Sequence, residues 1–398
     1  MPWKITSLLR VRLRLVEAGL ARRKPLRELC RAFGISRQTA YKWLNRFRAN
    51  GRAGLSERSR RPGRSPQRLA PKWVKVITHW RRWRPHWGAK KIHRQLRLQH
   101  PRARVPCVRT IQRWLRRLGY VRPRPHRARR GPVVPHPGLT QPTRPNQVWT
   151  VDFKGWFRTA DGQRQEPLTV RDLFSRYVLR LHLLPNQDDR PVRRSMRRLF
   201  QARGLPEIIR VDNGSPFGGK KGALGLSRLS VWWLRLGIRV EFTRRARPGD
   251  NAGHEQFHGC YQREVVAAAA AHRRAMQRRS TRWMARYNQE RPHEALDQMT
   301  PAQVYRPSRR PYPEALPPLR YPAGWEIRRV RNRGHIKWKG RLRFIGRAFV
   351  GQTVGLQTLE ANLHAVYLGK LLIGHLHNQD LGGKRPARWS RHQIKLEL

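Results

Sequence analysis

The stretch EIIRVDNGSPF, residues 207–217, and the stretch RARPGDNAGHEQFH, residues 245–258, determine the fold of this chain. The first predicts a short buried strand that stops at Asp212, where Asn-Gly makes a turn, and such turns often carry reactive groups. The second predicts a helix start after Pro-Gly-Asp-Asn, with Glu255 in the first turn. Asp152 lies upstream in a predicted strand, where Asp is disfavoured. Three carboxylates that meet repel one another unless cations lie between them, which indicates Mg²⁺.

The charge of the chain predicts a polyanionic partner. Among 398 residues, 88 are Lys or Arg and 23 are Asp or Glu, which gives a net charge of +65. Because the basic residues occur in every segment, nucleic acid is the expected partner, bound through its phosphates. A genome rich in G and C would account for part of the arginine excess. The three cysteines lack zinc spacing and no apolar run reaches membrane length, so we expect an intracellular protein with its cysteines in the core.

Two helical units at the start of the chain have the pattern of DNA readers. Residues 1–50 combine a short helix, a turn at Gly34 and a helix capped by Ser36, which is the helix-turn-helix pattern. Residues 67–120 predict a second unit of this or a winged-helix type, in which most tryptophans are core residues. The side chains expected to contact DNA are Arg37, Gln38 and Lys42 in the first unit and Arg109 and Gln112 in the second.

The remaining boundaries follow from changes in composition. Residues 147–305 predict three strands and then alternating helices and strands, which fits an RNase H-like α/β core with a mixed five-stranded sheet. The expected chain is therefore multidomain. Its other segments are a basic linker 51–66, a linker 121–146 rich in Pro and Arg, a Pro-rich linker 306–322, a small β-barrel 323–378 and a basic, frayed tail 379–398.

Several motifs, taken together, resemble the integrase core of bacterial insertion-sequence transposases. They are WTVDF at 149–153, LTVRDLFSRYVL at 168–179, RVDNGSPF at 210–217, RPGDNAGHEQFH at 247–258, and YNQERPHEAL at 287–296 followed by TPAQVY at 300–305. The insert GLSRLSVWW at 225–233 and the His-Glu pair are similar to the family numbered four-eighty-one. The resemblance extends to LCRAFGISRQTAYKWL at 29–44, WGAKKI at 87–92 and GHIKWKGRLRF at 334–344, and thus covers nearly the whole chain.

The resemblance implies a transposase with a DDE triad of Asp152, Asp212 and Glu255. These would hold two Mg²⁺ ions, which Mn²⁺ can replace, with Asp152 bridging both. Water would first free a 3′-hydroxyl at the element end, and that hydroxyl would then attack target DNA. The implied partners are double-stranded DNA, as terminal inverted repeats and target, and further copies of the chain in a homo-oligomer. No membrane and no small-molecule substrate are expected, and the implied location is the bacterial cytoplasm at the nucleoid.

Other polar residues near the triad have alternative interpretations. Asn213, Asn251 and His254 are expected to contact DNA or to orient a metal-bound water or the scissile phosphate. The respective alternatives are a left-handed turn residue, a helix cap, and a phosphate or outer-layer contact instead of a base. The remaining acids are expected to be structural. Their expected roles are a structural or near-site role for Asp172, a turn for Asp161, a helix cap for Asp250 and a solvated helix face for Glu264.

Two other functional classes stay open at this point. A domesticated DNA-binding regulator would keep the helix-turn-helix without the chemistry, and the loss of a triad member would favour it, but none is lost. An RNase H-like nuclease for repair or RNA cleavage would use the same fold, but it would need neither two tandem DNA readers nor a C-terminal barrel. The transposase is therefore the expected function.

Overall fold

The protein is described by a computed structural model that covers residues 8–57, 69–121, 138–219, 223–244, 248–268, 270–380, 382–386 and 393–394. The chain divides into two compact units, residues 1–70 and 71–398. The predicted linkers 51–66 and 121–146 and the predicted tail lie partly outside the described residues. None of the helices in the described ranges is long and apolar enough to cross a bilayer.

The first unit contains the predicted helix-turn-helix. Its helices are α1 (Leu8–Leu20), α2 (Leu26–Ala32) and α3 (Arg37–Asn50). The Ser36 hydroxyl caps α3 and accepts the backbone N–H of Thr39 at 3.2 Å. A 3₁₀ turn follows α3, and its last residue, Leu55, is fully buried, so the first residues of the predicted linker belong to the folded unit. The core of this unit consists of Leu15, Val16, Trp43, Leu44 and Leu55.

Three further helices open the second unit, namely α4 (Pro71–Trp83), α5 (Ala89–Gln99) and α6 (Val108–Arg117). Trp73, Trp80 and Trp87 are buried as predicted, whereas Trp83 is 53% exposed. The Arg84 guanidinium lies 4.2 Å from the centre of the Trp83 ring. This ring is therefore covered by a cation and is not packed into the hydrophobic core. The prediction of three core cysteines was wrong for Cys107, which is exposed at the start of α6; Cys30 and Cys260 are buried.

A mixed sheet forms the centre of the α/β segment. Its first six strands are β1 (Val148–Phe153), β2 (Phe157–Arg158), β3 (Arg164–Asp172), β4 (Val178–Leu184), β5 (Ile208–Val211) and β6 (Arg239–Phe242). β5 lies parallel to β1 and to β6, while β3 is antiparallel to both β1 and β4. These five are the predicted strands. Two further strands were not predicted: the short β2 pairs with β3, and Gln393–Ile394, in the tail that was predicted to be frayed, pair with β6. A strand of two residues is too short to show a hydrophobic period in the sequence.

Helices cover both faces of this sheet. The two helices whose apolar residues share the larger core cluster are α7 (Asp189–Arg203) and α8 (Arg228–Arg235). The helices that pack with β4 in the second cluster are α9 (Ala252–Tyr261) and α10 (Arg273–Glu290). Phe257, Tyr261 and Val265 fall at positions i, i+4 and i+8, which predicts one apolar stripe, and all three are buried in that second cluster.

The α4–α6 helices contact the end of α10 through polar groups. Arg84 forms an ion pair with Glu290, and Lys90 forms one with Glu294 in the turn that follows α10. The Gln95 side-chain amide also donates to the Glu290 carbonyl at 3.4 Å. The second predicted DNA reader is therefore attached to the α/β segment by charge pairs and by an α10 carbonyl.

The C-terminal segment is an antiparallel sheet with a separate hairpin. The segment follows the short helix α11 (Pro301–Val304). Its strands are β7 (Glu326–Arg329), β8 (His335–Trp338), β9 (Arg341–Phe344), β10 (Thr353–Glu360), β11 (Leu363–Leu368), β12 (Leu371–His377) and β13 (Arg385–Pro386). The Gln393–Ile394 strand that pairs with β6 is β14. The sheet order is β13-β12-β11-β10-β7, and β8 pairs with β9. A closed barrel stays a prediction. Phe349 and Val354 of this C-terminal segment belong to the same apolar cluster as Phe200 and Trp232 of the α/β segment.

The predicted Pro-rich linker, residues 306–322, lies along the α/β segment and is hydrogen-bonded to it. We call these residues the strap. The Ser308 N–H donates to the Arg203 carbonyl at 2.9 Å, and the Ser308 hydroxyl donates to the Leu205 carbonyl at 2.6 Å. The Arg310 guanidinium donates to the carbonyls of Pro206 and Gly237 at 2.5 and 3.0 Å. The proline content thus keeps the strap extended while its neighbours supply the hydrogen bonds.

Candidate active site

Asp152 lies on β1, in the interior of the mixed sheet. The preceding residues Val148, Trp149, Thr150 and Val151 are buried, and Asp152 itself is half-buried. In the antiparallel register of β1 and β3, Asp152 is paired with Thr169. Directly paired residues place their side chains on the same face of a sheet, so Asp152 and Thr169 share a face.

Asp212 follows the last residue of β5. Because Thr150 of β1 is paired with Arg210 in the parallel register, Asp212 lies level with Asp152 along the two neighbouring strands. The Gly214 N–H donates a hydrogen bond to the Asp212 carboxylate. Desolvation by surrounding protein atoms raises the pKa of Asp212, and the Gly214 bond partly opposes that rise. The strand end and the Asn-Gly turn therefore position this carboxylate as the sequence predicts.

The third carboxylate belongs to α9. Asn251 occupies the N-cap position of α9, but its side chain does not cap the helix. Instead, the Asn251 amide donates to Oδ2 of Asp152 at 3.0 Å, which attaches the start of α9 to β1. Glu255 lies one turn further along and is exposed. The helix cap that was the alternative role of Asn251 is therefore not made by its side chain, which lies beside the carboxylates as expected. Its contact with DNA stays a prediction.

The electrostatics of Asp152 link the three acids. The pKa of Asp152 is raised to about 7, first by burial, then by the negative charge of Asp212 and, more weakly, by that of Glu255, while the Phe153 N–H and the Asn251 amide lower it in part. Like charges near a carboxyl group raise its pKa because they disfavour the ionised form. The structure therefore brings all three predicted acids into one electrostatic neighbourhood.

A polar cluster that the sequence did not single out lies beside Asp152. The Thr169 hydroxyl donates to the Asp152 carbonyl at 2.9 Å, and it also contacts Nε2 of His254 at 2.8 Å and Nε2 of His258 at 2.9 Å. Burial lowers the pKa of His258 to about 3, aided by the charges of Arg171 and Lys154, and burial lowers that of His254 well below its usual value. Both imidazoles are therefore neutral.

Two of the predicted DNA contacts have their side chains occupied by the protein itself. His254 is only 1% exposed and its Nε2 faces Thr169, because the β3 face covers the ring, so the structure places this side chain beneath Asp152 and not at the surface. The Asn213 amide donates to the Thr243 carbonyl at 2.5 Å and joins the ends of β5 and β6. Asn213 is also absent from the described residues with positive φ, so it is not the left-handed turn residue considered as its alternative.

The predicted base-reading residues are exposed on their helices. Arg37, Gln38 and Lys42 are exposed on α3, while Ala40, Trp43 and Leu44 of the same helix are buried. On α6, Arg109 and Gln112 are exposed as well. Their contact with DNA stays a prediction.

The other acids near the site have structural partners. Asp172 is buried and accepts the N–H groups of Asn146 and Ser175, both at 2.7 Å. Asp250 was predicted as a helix cap, but its carboxylate accepts the Arg244 guanidinium at 2.7 Å and the Arg244 N–H at 3.0 Å. Glu264 was predicted on a solvated face, which was wrong. It accepts from Arg291 at 2.7 Å and from the Trp283 indole at 2.8 Å, because the π-helical turn Gln262–Val266 turns it toward α10.

The chain matches five families of known domains. Residues 142–248 and 236–301 each match an integrase core domain, and residues 325–380 match the C-terminal domain of the IS481 family transposases. Residues 11–63 match a helix-turn-helix domain, and residues 39–115 match a homeodomain-like domain. The matches indicate an integrase-like core followed by a segment similar to the C-terminal domain of IS481 family transposases. The integrase-core matches include Asp152, Asp212 and Glu255.

Two curated relatives of this integrase-core chain are insertion-element proteins. The IS407 uncharacterized 31.7 kDa protein of Burkholderia multivorans is 28% identical over 184 residues, which are 45% of this chain and 62% of that protein. The IS476 uncharacterized 39.2 kDa protein of Xanthomonas euvesicatoria is 27% identical over 290 residues, 72% of this chain and 79% of that protein. The chain thus spans less than two thirds of the first relative's length.

Among solved structures, the chain is similar to retroviral integrases. A simian T-cell lymphotropic virus intasome chain matches with a TM-score of 0.34 and 16% identity, over 79% of this chain and 99% of that one. The HTLV-2 integrase catalytic core matches with a TM-score of 0.32 and 13% identity, over 42% of this chain and 100% of that one. TM-scores this low do not relate individual residues.

Proposed function

We propose that this chain is a DNA transposase, which binds the ends of its element and catalyses strand cleavage and strand transfer. In the first step, water attacks a phosphodiester at the element end, the bond to the leaving oxygen breaks, and a free 3′-hydroxyl results. In the second step, that hydroxyl attacks a phosphodiester of target DNA, and a new phosphodiester replaces the broken one. Each step exchanges one P–O bond for another and needs no oxidant or reductant.

The observation that carries this proposal is the convergence of three carboxylates from three separate elements. Asp152 comes from a strand interior, Asp212 from a strand end and Glu255 from a helix, and the pKa of Asp152 responds to both neighbours. Acids that are brought together without cationic partners repel one another, which is costly in a stable fold. A site that keeps them together is therefore suited to cations that arrive with the substrate.

Divalent metal ions fit this set of donors. Among the described residues, no three acidic, histidine or cysteine side chains lie close enough together to hold a metal ion as they stand. The donors themselves are carboxylate oxygens, which Mg²⁺ and Mn²⁺ prefer. Burial and then the charges of Asp212 and Glu255 raise the pKa of Asp152, so a cation at this point would relieve both costs. Asp152, Asp212 and Glu255 would hold the ions, which would stabilise the attacking and leaving oxygens. The Asn251 amide orients Oδ2 of Asp152 for this purpose.

Double-stranded DNA is the proposed substrate. The net charge of +65 favours phosphate binding, and the exposed residues of α3 and α6 are placed on the helices that correspond to recognition helices. We propose that the chain acts as a homo-oligomer that holds two element ends, in the bacterial cytoplasm at the nucleoid.

The first prediction concerns Glu255. Glu255→Gln should abolish cleavage and strand transfer but leave binding of element ends unchanged, because the substitution removes a negative charge from the exposed start of α9 without removing a packing contact. The measurement uses the full chain with labelled element ends and Mg²⁺, and it follows nicked and joined products and, in parallel, the DNA dissociation constant.

Glu264→Gln is the matched control. It makes the same change in the π-helical turn after α9, and it should keep chemistry while lowering thermal stability, because Glu264 accepts from Arg291 and Trp283. Joining of DNA ends at a near-normal rate by Glu255→Gln, or cleavage that persists in excess chelator, would refute the proposal. Wild-type protein that binds ends but never cleaves would indicate a regulator, and cleavage without preference for element ends would indicate a nuclease.

A further inference from the structure

The Thr169 hydroxyl joins the strand that carries Asp152 to the helix that carries Glu255. Thr169 is fully buried on β3, directly across from Asp152. Its oxygen lies 2.9 Å from the Asp152 carbonyl oxygen, 2.8 Å from Nε2 of His254 and 2.9 Å from Nε2 of His258. The two histidines are four residues apart and therefore lie on one face of α9.

The direction of these three hydrogen bonds follows from the chemistry of the groups. A backbone carbonyl only accepts, so the single hydroxyl proton of Thr169 is used on the Asp152 carbonyl. The hydroxyl oxygen has two remaining lone pairs, and each must accept an N–H. Each imidazole must therefore carry a proton on Nε2, and in a neutral ring Nδ1 is then a lone pair.

The surroundings of His254 agree with this assignment. Its Nδ1 is buried without a hydrogen-bond partner among the described residues. A buried N–H without a partner is rarer in proteins than an incompletely satisfied acceptor, so an Nδ1 lone pair is the better of the two choices. If His254 instead carried its proton on Nδ1, that N–H would have no partner, and the lone pairs of Nε2 and of the Thr169 hydroxyl oxygen would face each other at 2.8 Å.

We propose that Thr169 is a positioning residue, which sets the distance between Asp152 and Glu255 by holding the Asp152 main chain against two successive turns of α9. This inference rests on the proposed function of the two acids. Arg171, also on β3, adds a second attachment by donating to the Gly253 carbonyl in the first turn of α9. β3 thus supplies no acid to the site, but it determines where the third acid stands relative to the first.

Thr169→Val tests the role of the hydroxyl, since valine has nearly the same shape. With saturating element-end DNA, the single-turnover cleavage rate should fall by about 10- to 100-fold, as expected when a group that orients a metal ligand is lost. The dissociation constant for DNA ends should not change. Thr169→Ser restores a hydroxyl and should recover most of the rate.

Thr150→Val is the matched control, since Thr150 is a buried threonine of the same sheet whose hydroxyl makes only a 3.5 Å contact with the Arg171 carbonyl. It should cleave at close to the wild-type rate. A wild-type rate for Thr169→Val would overturn the proposal, as would a Thr169→Ser variant that is as slow as Thr169→Val.

A second measurement does not depend on activity. Nitrogen NMR of the full chain without DNA or metal distinguishes the two neutral imidazole tautomers, and both His254 and His258 should carry their proton on Nε2. An Nδ1 proton on either ring would overturn the hydrogen-bond assignment and the proposal with it. This readout still decides the network if Thr169→Val does not fold. If the wild-type protein never cleaves DNA, the proposed function fails, whereas the tautomers still confirm or refute the Thr169 network.

Discussion

The protonation of Asp152 shows how the fold changes the chemistry of a single residue. In an unfolded chain the pKa of this carboxyl lies near its ordinary value of 3.8, but in the folded, metal-free protein its pKa is raised to about 7, first by burial and then by Asp212 and Glu255. The folded state therefore binds the proton more tightly than the unfolded state. The contribution of this group to stability is complete below pH 3.8 and is lost as the pH rises through about 7.

Asp152→Asn should consequently stabilise the metal-free protein at pH 8. The difference between the two pKa values, 3.8 and about 7, sets an upper limit of roughly 4 kcal/mol on the gain in the free energy of unfolding. This gain should vanish near pH 4. Urea unfolding in chelator at both pH values measures it. Asp161→Asn is the control of opposite sign, because the Thr159 hydroxyl lowers the pKa of Asp161, and this variant should not gain stability at pH 8. A variant Asp152→Asn that is less stable than wild type at pH 8 would contradict this account.

At the scale of the element, α3 combines a buried face with an exposed one. Ala40, Trp43 and Leu44 pack into the first unit, so Arg37 and Gln38 are directed outward at the start of the helix. The Ser36 cap fixes where that helix begins and hence which residues occupy its exposed first turn. In helix-turn-helix proteins, the N-terminal residues of the second helix contact base edges.

Arg37→Ala should therefore reduce the affinity for element ends by about 1–3 kcal/mol, while binding to random duplex changes much less. Arg48→Ala is the control, because Arg48 is equally exposed but lies in the last turn of α3, where only a phosphate contact is expected. Fluorescence anisotropy at a fixed salt concentration, with specific and random duplexes, gives both affinities. Equal losses on both duplexes for Arg37→Ala would show that α3 does not read sequence.

At the scale of the whole second unit, the catalytic sheet and the C-terminal sheet share one hydrophobic core. Phe349 is fully buried and belongs to the same apolar cluster as Trp149 and Trp232. The Arg235 guanidinium of α8 also donates to the Gln352 side chain at 2.5 Å. The strap 306–322 is hydrogen-bonded to the catalytic segment along the way. The C-terminal sheet is therefore expected to unfold together with the catalytic sheet.

Phe349→Ala should destabilise the catalytic sheet by about 3–5 kcal/mol, the cost of truncating a buried aromatic side chain. Hydrogen exchange followed by mass spectrometry should show faster exchange in peptides from β1 and β5 as well as in the C-terminal sheet. Leu342→Ala is the control, since Leu342 is 64% exposed on the β8–β9 hairpin and should have little effect. Unchanged exchange in β1 and β5 for Phe349→Ala would refute the shared core.

Local patterns in the sequence were enough to predict several parts of this protein. Helix-turn-helix spacing, the Ser36 cap and the buried stripe of Phe257, Tyr261 and Val265 depend on residues a few positions apart, so they can be recognised without a fold. The five main strands follow from alternation and turn residues in the same way. Asp152, Asp212 and Glu255 were identifiable because acids are rare in this chain and stand at a strand interior, a strand end and a helix start.

The contacts between segments that are distant in the sequence were decided by the tertiary structure alone. The Asp152–Asn251 bond, the Thr169 contacts with His254 and His258, and the Glu264–Arg291 pair join residues whose local sequence carries no mark of their partners. Burial of His254, exposure of Trp83 and Cys107, and the packing of strap 306–322 depend likewise on which surfaces meet. The physical reason is that periodicity determines which face of an element is apolar, whereas hydrogen-bond partners and electrostatic neighbours depend on how the elements are arranged in space.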